Sequence, residues 1–197
     1  MISTTVKGVS SAAALLIAAA LPAEAHIGAG ATSSFAGGFA HPLSGLDHTA
    51  VMIAVGLWAV LRGGRAIWAW PLTFIGVMLF GGALGMLHVP APLVEPGILA
   101  SVVALGLLVA LAIELPVSAG VAIIGVFALL HGHAHGSEIP QNTGGLEYMA
   151  GFAVATALLH GVGIAAAHSF GPKLRSLVRV AGATCAAVGV GLALGVV

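Results

Sequence analysis

Long apolar segments recur along the chain and determine the predicted architecture. Six of them approach the roughly 20 residues that an α-helix needs to cross the apolar core of a bilayer. They are predicted at 42–61, 67–87, 98–115, 116–130, 146–167 and 177–197. Because Pro116 cannot continue a helical hydrogen-bond ladder, a tight turn is expected around Glu114-Leu115-Pro116. The pattern predicts an all-α membrane protein whose six transmembrane helices form one domain, residues 26–197.

The N-terminus has the pattern of a cleavable secretory signal peptide over residues 1–25. Lys7 precedes an apolar stretch at 12–21, which is too short to span a bilayer comfortably, and A-E-A at 23–25 matches a cleavage site. Cleavage there would make His26 the mature N-terminus, outside the cytoplasm. The alternative is an uncleaved first helix.

The distribution of basic residues gives an independent prediction of orientation. With the mature N-terminus outside, the cytoplasmic loops are 62–66, 114–116 and 168–176. These loops and the start of the last helix contain every Lys and Arg of the mature chain, namely Arg62, Arg65, Lys173, Arg175 and Arg179. This agrees with the positive-inside rule. A multi-pass protein of the bacterial inner membrane is therefore predicted, with its N-terminus on the periplasmic side.

Composition narrows the function classes. The chain is 59% hydrophobic and only 6% charged, whereas soluble domains carry roughly 25% charged residues. Its zero net charge gives no reason to expect a nucleic-acid partner, and the single cysteine excludes an intramolecular disulfide framework. The 29 glycines include helix-packing pairs such as Gly81/Gly85 and Gly191/Gly195, which would suit a monomer or a homo-oligomer equally well. The nine histidines are the chemical anomaly.

The first polar cluster is His41-Pro-Leu-Ser-Gly-Leu-Asp47-His48, followed by Met52. Pro42 suits the first helical position, which would place His41, Gly45, His48 and Met52 on one helical stripe, with Asp47 beside it. Ionisable groups inside a membrane are costly and indicate function by default. Imidazole suits Ni, Cu, Zn and Co, and a carboxylate offsets the charge of a dication. The alternative is a capping His41 and an Asp–His pair that only fixes helix packing.

The second cluster is His131-Gly-His133-Ala-His135-Gly-Ser-Glu138, at the external end of the fourth segment. Three imidazoles and a carboxylate within eight residues are typical ligands of borderline metal ions. If the tract is helical, His131 and His135 share a face and His133 points away. Gly132 and Gly136 favour an external, bent loop equally well, and such a tract could also be mere surface sequence.

Four residues are secondary metal-ligand candidates. His26 could chelate through its α-amine if cleavage occurs, and His88 ends the second segment. Glu147 opens the fifth segment, where the helix dipole favours a carboxylate in any case. His160 lies deep in that segment and could be a second station on an ion path, or could merely bind a neighbouring helix. No permanently bound cofactor is expected.

The two clusters together resemble the motifs of the HupE/UreJ family of hydrogenase- and urease-accessory proteins. The resembling stretches are His41-Pro-x-x-Gly45-x-Asp47-His48-x-x-x-Met52-x-x-x-Gly56-Leu-Trp58 and Leu130-His131-Gly-His-Ala-His135-Gly-x-Glu138. The resemblance extends over essentially the whole chain. It implies an inner-membrane Ni²⁺ permease, with the ion as transported substrate, that supplies hydrogenase or urease.

Other function classes stay open at this stage. The rivals are a permease for Co²⁺ or another divalent metal, a metal sensor or assembly factor without transport, and a metal-dependent membrane enzyme. The chain has neither an H-E-x-x-H motif nor a phosphate-binding loop, which disfavours the enzyme and any ATP hydrolysis by the chain itself. A non-enzymatic transporter is the preferred prediction.

Overall fold

The structure, a computed structural model, describes residues 34–139, 144–170 and 175–196. The predicted signal peptide and His26 lie outside these residues. Seven α-helices occupy the described part of the chain. They are α1 (Ser34–Ser44), α2 (Leu46–Arg62), α3 (Ala66–Met86), α4 (Val94–Ala110), α5 (Val117–Glu138), α6 (Gly145–Phe170) and α7 (Arg175–Ala193).

The all-α class and the membrane character agree with the sequence-based prediction. Four helices, α3, α5, α6 and α7, are long and apolar enough to cross a bilayer, and α1 with α2 can form a fifth, broken span. The apolar helix α4 is shorter, at 17 residues, so the count of six spans stays a prediction. Large apolar side chains such as Trp68, Phe80 and Val126 are exposed, as lipid-facing side chains would be.

The predicted start of the first span is wrong. Pro42 lies inside α1 rather than at the first position of a helix, and the chain bends by 82° between α1 and α2 at Gly45. Hydroxyl groups bind carbonyls that the ending helix leaves free: Ser44 Oγ donates to His41 O at 2.6 Å, and Thr49 Oγ1 to Pro42 O at 2.8 Å. Because of this bend, His41 cannot share one continuous helical stripe with the residues that follow Gly45.

Glycines set the close approach of the helix pairs. A Cβ at Gly81 or Gly85 of α3 would overlap the backbone of α5 around Leu129 and His133, as the small-residue spacing predicts. A Cβ at Gly56 of α2 would likewise overlap the backbone of α6. The pair Gly191/Gly195 does not act in this way, because Gly195 follows α7 with a positive φ and no neighbour within 4 Å of its Cβ position.

The turn between α4 and α5 is fixed by side chains that bind its free carbonyls. Trp58 Nε1 donates to Ile113 O at 2.9 Å, and Arg62 Nε donates to Leu115 O at 2.8 Å. Trp58 packs on Trp70 with a centroid separation of 4.2 Å, and both indoles are fully buried. This end of the bundle is therefore tied together by hydrogen bonds to the helix connection.

Candidate metal centre

Side chains from three helices converge at the bend between α1 and α2. His41 comes from α1, His48 from α2 and His135 from α5. The ring centroids lie 6.0 Å apart for His41 and His48, 4.7 Å for His41 and His135, and 4.4 Å for His48 and His135. His131, one turn along α5, has its ring 5.4 Å from that of His48. The two sequence clusters thus form one imidazole cluster inside the bundle.

One group of candidate donor atoms is compact enough to share an ion. Ligand atoms of His41, His135 and Glu138 lie within 4.8 Å of one another. His48 is not one of these three residues, but its Nε2 is in direct contact with His135 Nε2, so a further imidazole adjoins the group. Because metal–nitrogen bonds are about 2.0 to 2.1 Å long, an ion could be held between these rings after small side-chain rotations.

The second cluster is helical, so of the two predicted alternatives the bent loop is wrong. Helix α5 continues through the tract to Glu138. Gly132 and Gly136 do not make turns: a Cβ at either position would overlap the backbone of α3 near Met78 and Gly82. These two glycines therefore seat α5 against α3, and His131 and His135 are buried on an adjacent face of α5.

His133 lies away from the cluster, as its helical spacing predicts. Its Nε2 donates to Val89 O, 2.6 Å away in the loop between α3 and α4. This contact ties the end of α5 to that loop. The structure therefore brings together two of the three histidines of the tract and leaves the third in a packing contact.

Gly45 makes room for a carboxylate–imidazole pair. Asp47 Oδ1 accepts a hydrogen bond of 2.6 Å from His48 Nδ1. A Cβ at Gly45 would lie 2.7 Å from Asp47 Oδ1 and 2.9 Å from His48 Nδ1. Since Nδ1 carries the proton toward the carboxylate, a neutral His48 presents the lone pair of Nε2 to the cluster. A carboxylate bound in this way orients metal-ligating histidines and makes them more basic.

His131 also presents a free lone pair to the interior. Its Nδ1 donates to Phe127 O at 2.9 Å, so a neutral ring has its lone pair on Nε2, which is buried without a hydrogen-bond partner. His135 Nδ1 is likewise without a hydrogen bond and lies 3.7 Å from Glu138 Oε2. Buried polar atoms are normally paired. Because His133 Nδ1, away from the cluster, is also buried without a partner, it is the convergence of the rings that makes the nitrogens of His131 and His135 candidate ligands.

The remaining predicted residues have other surroundings. Met52 is fully buried one turn beyond His48, and its carbonyl accepts a 2.7 Å hydrogen bond from His160 Nδ1. His88 is exposed in the loop after α3, and Glu147 is exposed in the first turn of α6. Neither belongs to the compact donor group.

Two aromatic residues of the site were not predicted from the sequence. Phe152 of α6 lies 4.4 Å from the His135 ring and 6.0 Å from His41, and Tyr148 lies 6.0 Å from His41. They wall the cluster on the side of α6. Their spacing of four residues indicates that they lie on the same face of a helix. Any two aromatic residues that pack in a helix core can have this spacing, so it does not indicate a metal site.

Comparisons with known proteins identify the family. The sequence profile of the family described as HupE / UreJ protein matches residues 13–192. Protein HupE of Rhizobium leguminosarum bv. viciae is 44% identical over 183 residues, which cover 91% of this chain and 95% of that protein. No solved structure matches the chain. The profile match and this relative, together spanning nearly the whole chain, establish that it belongs to the HupE/UreJ family.

Proposed function

We propose that this chain is a membrane permease that takes up Ni²⁺, with Co²⁺ as a second substrate, and supplies metal for the maturation of hydrogenase or urease. The observation that carries the proposal is the convergence of His41, His48, His135 and Glu138 at the bend of a broken span. Imidazole nitrogens with one carboxylate suit borderline dications such as Ni²⁺. Broken helices with ligands at membrane depth are a recurring design of transport sites.

The depth of the donors favours transport over static metal sensing. Glu138 is exposed at the end of α5, His135 follows one turn inward, and His131 lies a further turn inward, each turn advancing about 5.4 Å. A sensor or assembly factor needs only the accessible end of such a series. A permease needs donors that continue into the bundle, because a dication cannot cross an apolar interior without them.

In this proposal, the positions of the arginines determine the direction of transport. Arg62 and Arg175 lie at the end of the bundle opposite the cluster, where each donates to a backbone carbonyl of a neighbouring helix end. Under the positive-inside rule that end faces the cytoplasm of the inner membrane. The cluster then opens to the periplasm, where it captures the ion and passes it inward.

The test compares ⁶³Ni²⁺ uptake by cells that lack their own nickel transporters. His131→Ala and His135→Ala are expected to lower uptake at least about tenfold, since loss of even an outer partner of a ligand costs roughly 10–100-fold in affinity. His133→Ala is the matched comparison, because it is the same substitution in the same tract on the face that contacts Val89. It should retain most of the uptake at equal membrane expression.

Each outcome separates a rival function. Equal loss in all three variants would contradict the face-specific site, and no uptake by the wild-type chain would refute the permease. Nickel binding by purified protein without any uptake would favour the sensor or assembly factor. Competition by unlabelled Co²⁺ then ranks the two ions.

A further inference from the structure

His160 is a buried histidine that the compact donor group does not include. It lies in α6, eight residues or about 12 Å along the helix from Phe152, which walls the cluster. The residue is only 1% exposed. A histidine is an expensive choice for this depth, because its two ring nitrogens both need partners that an apolar interior does not supply.

One hydrogen bond fixes the state of the His160 ring. Nδ1 lies 2.7 Å from Met52 O, and a carbonyl can only accept, so Nδ1 carries the proton. In a neutral ring the lone pair is then on Nε2, which is buried and has no hydrogen-bond partner. Metal-ligating histidines have this same arrangement, with the second nitrogen bound to a backbone carbonyl.

His131 repeats the arrangement and also contacts Phe74. Its Nδ1 donates to Phe127 O, and its Nε2 is also buried and unpartnered. The Phe74 ring contacts both imidazoles, with centroid distances of 5.7 Å to His131 and 5.1 Å to His160. The two histidine rings therefore cannot be farther apart than the sum of these two distances, with a single phenyl ring touching both.

Polar atoms accompany His160 on its own face of α6. Thr156 lies one turn away, is fully buried, and donates its hydroxyl proton to Met78 Sδ at 3.7 Å. Its oxygen lone pairs remain available. Within the described residues no carboxylate is buried, so nothing there adds the negative charge that would hold a dication tightly.

Helix packing alone does not account for this histidine. Helices α2 and α6 already approach closely at Gly56 and Gly163, where a Cβ on either residue would overlap the opposite backbone. The hydrogen bond to Met52 would be supplied equally well by a side chain with one donor. Packing leaves the unpartnered Nε2 unexplained. His133 Nδ1 is unpartnered as well, but the His160 ring is fully buried and contacts Phe74, which also contacts His131.

We propose that His160 Nε2 is a second, inner station for the transported dication, which it receives from His131 as the ion passes Phe74. This inference rests on the proposed function. The station offers one imidazole and the Thr156 hydroxyl oxygen without a carboxylate, so it binds weakly. Weak binding suits an exit site, because conduction requires that the ion also leave.

The test is His160→Asn in purified protein, reconstituted into liposomes that contain a Ni²⁺-sensitive dye. The asparagine amide nitrogen takes the position of Nδ1 and can still donate to Met52 O, while Nε2 is removed. The matched control is Gly161→Ala, the adjacent residue, whose Cβ position has no neighbour within 4 Å. Ni²⁺ binding to the same samples is measured by calorimetry.

The inference expects His160→Asn to lower initial uptake at least about tenfold. Binding at the outer cluster should change less than about threefold, because His160 is not part of its compact donor group and asparagine keeps the hydrogen bond to Met52 O. Uptake equal to that of Gly161→Ala would overturn the inference. Parallel loss of uptake and outer binding would also overturn it, since His160 would then support the cluster. No uptake by the wild-type protein would refute the proposed function and this inference with it.

Discussion

The substitution Gly45→Ala isolates the role of the Asp47–His48 pair. A Cβ at this position would lie 2.7 Å from Asp47 Oδ1 and 2.9 Å from His48 Nδ1, closer than non-bonded atoms allow. The Asp47 side chain is 25% exposed and can rotate away, so the 2.6 Å hydrogen bond to His48 is lost. The backbone itself is unstrained, because φ −101° and ψ 129° are open to alanine.

The expected effect is a loss of affinity without a loss of stability. Removing an outer partner of a ligating histidine weakens metal binding roughly 10–100-fold, which corresponds to about 1.4 to 2.8 kcal/mol. Folding should be unchanged or favoured by about 0.4 to 1 kcal/mol, since alanine restricts the unfolded chain.

Calorimetric Ni²⁺ titration and thermal unfolding of the same purified protein measure both quantities. Gly76→Ala in α3 is the matched control, because its Cβ position has no neighbour within 4 Å. A folded Gly45→Ala protein that binds Ni²⁺ as tightly as the control would refute the idea that Asp47 orients His48 for metal binding.

Three further predictions follow from the contacts at the site. Gly132→Ala forces α5 away from α3 and should cost about 1 to 3 kcal/mol of stability, whereas Gly125→Ala, whose nearest neighbour is 3.9 Å away, should not lower the unfolding temperature. Glu138→Gln removes the acidic member of the donor group and should weaken Ni²⁺ binding in calorimetry; unchanged affinity would exclude this carboxylate as a ligand. Protons compete with Ni²⁺ for the imidazole nitrogens of the cluster, so Ni²⁺ affinity should weaken as pH falls. Calorimetric titrations at several pH values measure this, and an affinity that does not change with pH would contradict it.

The sequence predicted which residues come together at the site better than it predicted their arrangement. His41, His48, His135 and Glu138 were predicted to be metal ligands because ionisable residues are rare in a membrane chain and their spacing matched a family motif. The sequence predicted only that the two motifs lie on the same side of the membrane, and not that they are in contact. Their actual contacts depend on how α1, α2 and α5 pack, which no local pattern encodes.

At two places, tertiary packing decided what local preference could not. Gly132 and Gly136 allowed a loop as readily as a helix, and Pro42 favoured a helix start, because those are the preferences of these residues in water. In a bundle of closely packed apolar helices, glycine is a contact surface for a neighbouring backbone. The bend at Gly45 is held by tertiary contacts, including the hydroxyl groups of Ser44 and Thr49 that bind the freed carbonyls.

The bend also affects the charge of the site when no ion is bound. Helix α2 begins inside the bundle at Leu46, so its unpaired N–H groups and the positive end of its dipole lie beside Asp47 in the first turn. That field and the hydrogen bond from His48 Nδ1 both favour a negatively charged carboxylate at this position. In the transport cycle proposed above, the resting site keeps this charge between successive ions, so each departing ion leaves a centre that is ready to bind the next one.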